Sequence, residues 1–212
     1  LSVGAVAFKK KPVILLLVEE ALAAGIEEVF IDVQENDLAD FRSFFHTQVS
    51  IENFNKLPRH FQNYAQRILE IGRQVSFVVQ PTPEGFGHAV YCANNAVGDE
   101  PFLLILGDHL YRSNTDKSCA QQLLDACNDH GMSILGLRRT AEEHLANFGT
   151  ATGVWLQERR LLSISEFTEK PTANYARNNL RVPGFPDGIF DGFWSVRRKT
   201  GNICLFGRKH SQ

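Results

Sequence analysis

The chain has 212 residues, 43% of them hydrophobic, with a formal net charge of -2 and a pI near 6.4. That length and apolar content suit one generous domain with a buried core. The near-neutral charge gives no overall basic surface of the kind that phosphate-backbone binding needs, so the expected partners are small molecules or proteins, with no nucleic acid.

The longest apolar run near the start, Pro12 to Val18, falls far short of the ~20 residues of a membrane span and is followed at once by Glu19 and Glu20. No membrane segment and no signal peptide are expected. VEEALAAGIEEVFIDV then reads as a helix rich in Ala, Leu and Glu, stopped at Gly25 and feeding a buried strand through Val29, Phe30, Ile31 and Val33. Between Leu38 and Arg73, LADFRSFFHTQ and LPRHFQNYAQRILEIG carry apolar residues at helical spacing, and Phe41, Phe44 and Phe45 are expected to face the core.

The alternation continues with an extended run from Gln74 to Gln80, a helix over about Gly87 to Val97, the strand PFLLILGD, a helix from Ser118 to Asp129 and the strand MSILGLRR. Repeated αβ units of this kind argue for a largely parallel sheet covered by helices. After Thr140, TATGVWLQERRLLSISEF reads as a hairpin whose polar tip, at Glu158 and Arg159, faces solvent. From Asp191 onward there are five Lys or Arg residues, no acid after Asp191 and no sustained period, the texture of a disordered basic tail.

The four cysteines, Cys92, Cys119, Cys127 and Cys204, form no CxxC pair, and His88, His109, His130 and His144 do not supply zinc spacing around them. Reduced structural thiols in a cytoplasmic protein are expected.

Ligands of open, mostly parallel sheets sit outside the carboxyl ends of the strands, which directs attention to three loops. In QPTPEGFGHAV, Gly85 and Gly87 let a flat ligand approach the backbone, and the Gln80 amide beside exposed N–H and C=O groups can read the edge of a base. A plain βα turn explains the same residues equally well. In LLILGDHLY, four apolar residues deliver Asp108 to a strand end, where one carboxylate can hold Mg²⁺ on phosphate oxygens or cap a turn. His109 reads as structural. In EFTEKP, Glu169 and Lys170 stand before Pro171; in an extended chain their side chains diverge, so a carboxylate for sugar hydroxyls and an ammonium for phosphate compete with a solvated charge pair.

In order, KPVILLLVEEALAAGIEEVF, QPTPEGFGHAVYCANNAVGDEPFLLILGDHL, NFGTATGV and FTEKP resemble the sugar-1-phosphate nucleotidylyltransferases, and among them the bacterial-type UTP:glucose-1-phosphate uridylyltransferases, from about Lys11 to Gly188. The resemblance implies a Rossmann-like, glycosyltransferase-A-like mixed sheet, mostly parallel, with helices on both faces and truncated at both ends. It implies Gln80 and Gly85 on uracil, and Asp108 on Mg²⁺. It also implies Gly149 and Glu169 on the hexose, with Lys170 on the sugar phosphate. Asp108 and Lys170 would be the catalytic residues, UTP and glucose 1-phosphate the partners, and UDP-glucose and pyrophosphate the products. A homo-oligomer is compatible with it.

Family members begin with a strand and a glycine-rich GxGTR loop that grips the triphosphate, whereas this chain opens LSVGAVAFKKKP. The alternative expectation is therefore a short homologue that binds nucleotide or nucleotide-sugar with impaired turnover. Lys9, Lys10 and Lys11 are expected to form a solvated basic arm, and LSVGAVAF, or a partner chain, to substitute for the absent central strand. The tail DGFWSVRRKTGNICLFGRKHSQ matches nothing in the family and has the texture of a truncation, altered splice or shifted frame. The expected division is residues 1–190 as the nucleotidylyltransferase-like domain and 191–212 as the tail.

Overall fold

The computed structural model describes residues 7–8, 11–107, 109–140, 142–157, 160–184, 189–197 and 205–208. They fall into two compact units, one of residues 1–134 with 195–212 and the other of 135–194.

In the first unit, β1 (Ala7–Phe8) pairs with β2 (Lys11–Pro12) as a short antiparallel ladder. Pro12 leads into α1 (Val13–Ala23), where its fixed φ of -59° and missing N–H cost nothing. Leu15, Leu17, Val18 and Ala21 bury one face of that helix. Lys11, expected to be solvated, instead places Nζ 2.8 Å from Glu19 one helix face away.

The strand β3 (Glu28–Gln34) alternates as its sequence predicts, burying Val29, Ile31 and Val33. After a 3₁₀ turn come α2 (Leu38–His46), α3 (Ile51–Lys56) and α4 (Arg59–Gly72). Phe41 and Phe45 are buried and meet Phe77 with ring centroids 6.4 and 6.3 Å apart, while Phe44 stays half-buried and stands edge-on to Phe45. A Cβ on Gly72 would lie 2.1 Å from the Phe45 carbonyl oxygen, so glycine permits this close approach of α4 to α2.

The chain returns in β4 (Val75–Gln80), parallel to β3 with Gln34 opposite Gln80. The helix expected over Gly87 to Val97 is two pieces, α5 (Phe86–Cys92) and α6 (Asn94–Val97), hinged at Ala93. Both pack Val90, Ala93 and Val97 on Leu104 of β5 (Phe102–Leu104), with Phe30 and Val78 alongside. In α7 (Cys119–His130), the Ser118 hydroxyl accepts from the Gln121 N–H at 3.1 Å, and Gly131 closes the helix at φ 64°. Burial raises the pKa of Glu20 on α1, although its carboxylate accepts the Ala120 N–H at 3.2 Å, an added cap from a distant helix.

The second unit holds β6 (Ile134–Thr140), a 3₁₀ segment over 142–147, the antiparallel pair β7 (Gly149–Gln157) and β8 (Leu161–Glu169), and α8 (Ala173–Asn179). The predicted hairpin is thus present, with its tip residues 158 and 159 outside the described residues. Its ladder slips at Gly153, where a Cβ would lie 1.9 Å from the Ser163 carbonyl oxygen. The buried hydroxyls of Thr150 and Thr152 donate to the Thr168 and Arg181 carbonyls, and Leu145, Ala176 and Leu180 make a small apolar core.

Two strands come from the region expected to be a disordered tail. β9 (Ile189–Arg197) pairs its residues 190–191 with β7 and its residues 195–197 with β5; β10 (Leu205–Arg208) lies antiparallel between β3 and β5. The substitute strand in that slot is therefore β10, whereas Ala7 and Phe8 pair with β2 and residues 1–6 lie outside the described residues. The physical reason is that two facing rows of N–H and C=O groups on β3 and β5 need a partner. The mixed α/β sheet is as expected. β3, β4 and β5 run in one direction, but only β3 and β4 form a parallel ladder, because β10 separates the others.

Candidate functional site

The loop after β4 is built by the Gln80 side chain. Gln80 is 8% exposed, and its Nε2 donates to the Gly85 carbonyl at 3.2 Å, drawing the glycine back over the strand end. Gly85 itself has φ 99°, a conformation that any side chain would strain, and its carbonyl also accepts the Ala89 N–H of α5. The predicted pair, Gln80 and Gly85, is thus brought together. Among the described residues Gln80 Oε1 makes no hydrogen bond, which leaves an acceptor to offer a ligand.

Sequence reasoning missed two groups here, His88 beside this amide and Asp32, which interacts with His88. His88 in α5 places Nδ1 3.2 Å from Gln80 Nε2 and 2.9 Å from the Thr82 carbonyl oxygen, and its Nε2 lies 3.6 Å from Cys92 Sγ. Asp32 of β3 has an interior carboxylate oxygen with no hydrogen bond among the described residues. Burial pushes its pKa up to about 6, against an opposing pull from His88. The available signal was an aspartate interrupting the apolar run VFIDV. The Cys92 thiol is raised as well, by burial first and then by Asp32 and Glu84.

In the second unit, Gly149 and Glu169 are direct partners across the β7 and β8 ladder. A Cβ on Gly149 would stand 2.5 Å from the Phe167 ring and 2.8 Å from Glu169 Oε2, so the missing side chain is the space that the carboxylate fills. Lys170 has φ 45°, in the left-handed region that lysine rarely adopts, and its N–H donates to the Phe148 carbonyl at 3.1 Å. This corrects the expectation that Glu169 and Lys170 diverge: Lys170 is not extended, and its Nζ lies 3.8 Å from Glu169 Oε1. Both side chains are 61% exposed and free to engage a ligand. Nearby, the Tyr175 hydroxyl donates to Glu166 at 2.5 Å, which raises the tyrosine pKa.

Asp108 lies outside the described residues. Before it, buried Leu103 and Leu104 of β5 and the buried Ile105 that follows lead to a turn at Gly107, and the His109 N–H donates to the Leu106 carbonyl at 3.2 Å. Among the described residues no three His, Cys, Asp or Glu side chains cluster as a metal cage. A single hard carboxylate still fits Mg²⁺, which takes its other oxygens from phosphate and water.

A family model for nucleotidyl transferases matches residues 3–191. The chain is 31% identical over 181 residues to the UTP–glucose-1-phosphate uridylyltransferase of Bacillus subtilis, covering 82% of this chain and 59% of that protein. It is 32% identical over 187 residues to UTP–glucose-1-phosphate uridylyltransferase 2 of Staphylococcus saprophyticus, covering 85% and 63%. Among solved structures it is similar to a UDP-glucose pyrophosphorylase complexed with UDP-glucose, at a TM-score of 0.71 and 26% identity, covering 89% of this chain and 64% of that one. The chain thus spans about three-fifths of the length of the curated relatives it matches.

Proposed function

The chain belongs to the nucleotidyl transferase family, and from that premise we propose that it transfers a uridylyl group from UTP to glucose 1-phosphate, giving UDP-glucose and pyrophosphate. The observation that carries this reading is the Gln80 amide, nearly buried at the end of β4, held by Gly85 and with its oxygen open to a ligand N–H. A uracil ring supplies such an N–H.

In this reading Gln80 and Gly85 fix the base, Gly149 and Glu169 hold the hexose, and Lys170 meets the sugar phosphate. The phosphate oxygen of glucose 1-phosphate attacks the α-phosphorus of UTP in line, the bond to the β-phosphate breaks, and pyrophosphate departs. Such chemistry rests on positioning and charge neutralisation more than on proton transfer, which suits a site without a histidine or serine nucleophile. Asp108 would hold Mg²⁺, which when bound neutralises charge on the phosphate oxygens. No helix of the described residues is long and apolar enough to cross a membrane, and we place the reaction in the cytoplasm, where its charged substrates reside.

The test is release of pyrophosphate from UTP and glucose 1-phosphate with Mg²⁺, measured beside Asp108→Asn. Turnover far above that variant is expected. Binding of UDP-glucose with turnover no greater than that of Asp108→Asn would replace the transferase with a nucleotide-sugar binding protein.

A further inference from the structure

Phe167 is a large apolar side chain that the core of its unit does not absorb: it is 49% exposed. Strand alternation puts it on the face of the β7 and β8 ladder that carries Glu169, with Ala151 directly opposite Phe167 and Gly149 directly opposite Glu169. The other face is the packed one, where Thr150 and Thr152 are buried and Tyr175 of α8 reaches Glu166.

Ring and carboxylate converge on one point. The position that a Cβ of Gly149 would take is 2.5 Å from Phe167 Cζ, 3.1 Å from Phe167 Cε1 and 2.8 Å from Glu169 Oε2. The other carboxylate oxygen, Oε1, lies 3.8 Å from Lys170 Nζ. One edge of the ladder therefore presents an aromatic ring, a carboxylate and an ammonium side by side, above two small residues that keep β7 low beneath them.

A hexose has two kinds of surface, a rim of equatorial hydroxyls and two faces of axial C–H bonds. A carboxylate serves the rim. The negative face of an aromatic ring suits the C–H bonds, which adjoining oxygens leave slightly positive. In the chair of α-glucose 1-phosphate the axial bond to the phosphate oxygen shares one face with H3 and H5, and blocks a flat group there. The opposite face carries only H2 and H4.

We propose that Phe167 is a specificity-determining residue for the hexose: its ring covers the sugar face that bears H2 and H4, and so selects the gluco configuration. This rests on the reading that Glu169 holds the hexose. Galactose, inverted at C4, and mannose, inverted at C2, each turn a hydroxyl onto that face, where it loses water without gaining a hydrogen-bond partner.

The first test uses the unsubstituted chain with UDP-glucose. Transferred nuclear Overhauser effects from aromatic ring protons are expected at H2 and H4 of the hexose and not at H3 and H5, and they should vanish in Phe167→Leu, which keeps apolar bulk and removes the ring. By calorimetry, Phe167→Leu should bind UDP-glucose about fivefold more weakly, the worth of one aromatic contact, with UDP unchanged within about twofold. UDP-galactose should lose less than UDP-glucose, so the preference between them narrows. Effects at H3 and H5 instead of H2 and H4, or none on the hexose, overturn the proposal without reference to any affinity. Equal losses for UDP and UDP-glucose also overturn it, because the ring would then be supporting the fold. Glu169→Gln distinguishes the levels: if it binds UDP-glucose like the unsubstituted chain, or if that chain binds no UDP-glucose, the hexose reading falls and this proposal with it. If Glu169→Gln weakens UDP-glucose and Phe167→Leu does not, only the role of Phe167 falls.

Discussion

Gly85 and Gly149 are both proposed to line the ligand site, and the fold needs them as glycines for opposite reasons. Around Gly85 a Cβ would meet nothing within 4 Å, but its φ of 99° belongs to glycine. Gly149 has no such φ, but a Cβ there would press on Phe167 and Glu169. One glycine supplies a backbone conformation and the other supplies room. The loop after β4 is therefore sensitive to backbone strain, and the β7 and β8 ladder to volume.

That contrast is broken most sharply at Gly149. Gly149→Ala should displace Glu169 and reduce the affinity for UDP-glucose by about 100-fold, since the carboxylate and any hydroxyl it holds lose their geometry together. Titration of the folded variant with UDP-glucose is the check, and an unchanged affinity would show that the ladder yields.

Gly85→Ala should act more mildly, through about 1–2 kcal/mol of backbone strain that melts out as a lower unfolding midpoint in urea. Its effect on UTP binding should exceed its effect on glucose 1-phosphate. Equal losses for both ligands would remove the distinction between the two glycines.

Asp32 gives a pH signature confined to the loop side. Its folded pKa of about 6 lies above the ordinary aspartate value of 3.8, so its contribution to stability is complete below about pH 3.8 and is lost as pH rises through 6. Asp32→Asn should therefore be more stable than the parent at pH 8, by roughly 1 kcal/mol once its partial exposure is discounted, with the gap shrinking on acidification. Urea melts at pH 8 and pH 5 with equal differences would contradict the shift.

The smallest effect is expected at Lys170. Replacing it by glycine relieves the φ of 45°, worth about 1 kcal/mol in stability, while removing the ammonium. Thermal stability should rise as glucose 1-phosphate affinity falls; a parallel fall in both would mean that the left-handed turn carries no strain.

Much of this was legible because local patterns suffice for it. Alternation gave β3, helical spacing placed Phe41 and Phe45 inward, and Ser118 and Gly131 marked the ends of α7. Family-like motifs picked out Gln80 with Gly85, and Gly149 with Glu169, because close backbone approach leaves glycines in the sequence. What escaped was set by contacts between distant segments. The role of Asp32 depends on a helix some fifty residues further along the chain, and nothing in FTEKP announces a left-handed lysine. The placement of β10 depends on two strands with unpaired edges, a property of the sheet and not of LFGR.

That placement also orders assembly in time. Leu205 pairs with Ile31, so the ladder joining β3 to β5 cannot close until the chain has left the ribosome past Arg208, while residues 135–194 can already be compact. Until then, β3 presents an open edge to any other strand in reach, and nascent chains are exposed to pairing with one another at a seam that the finished molecule conceals.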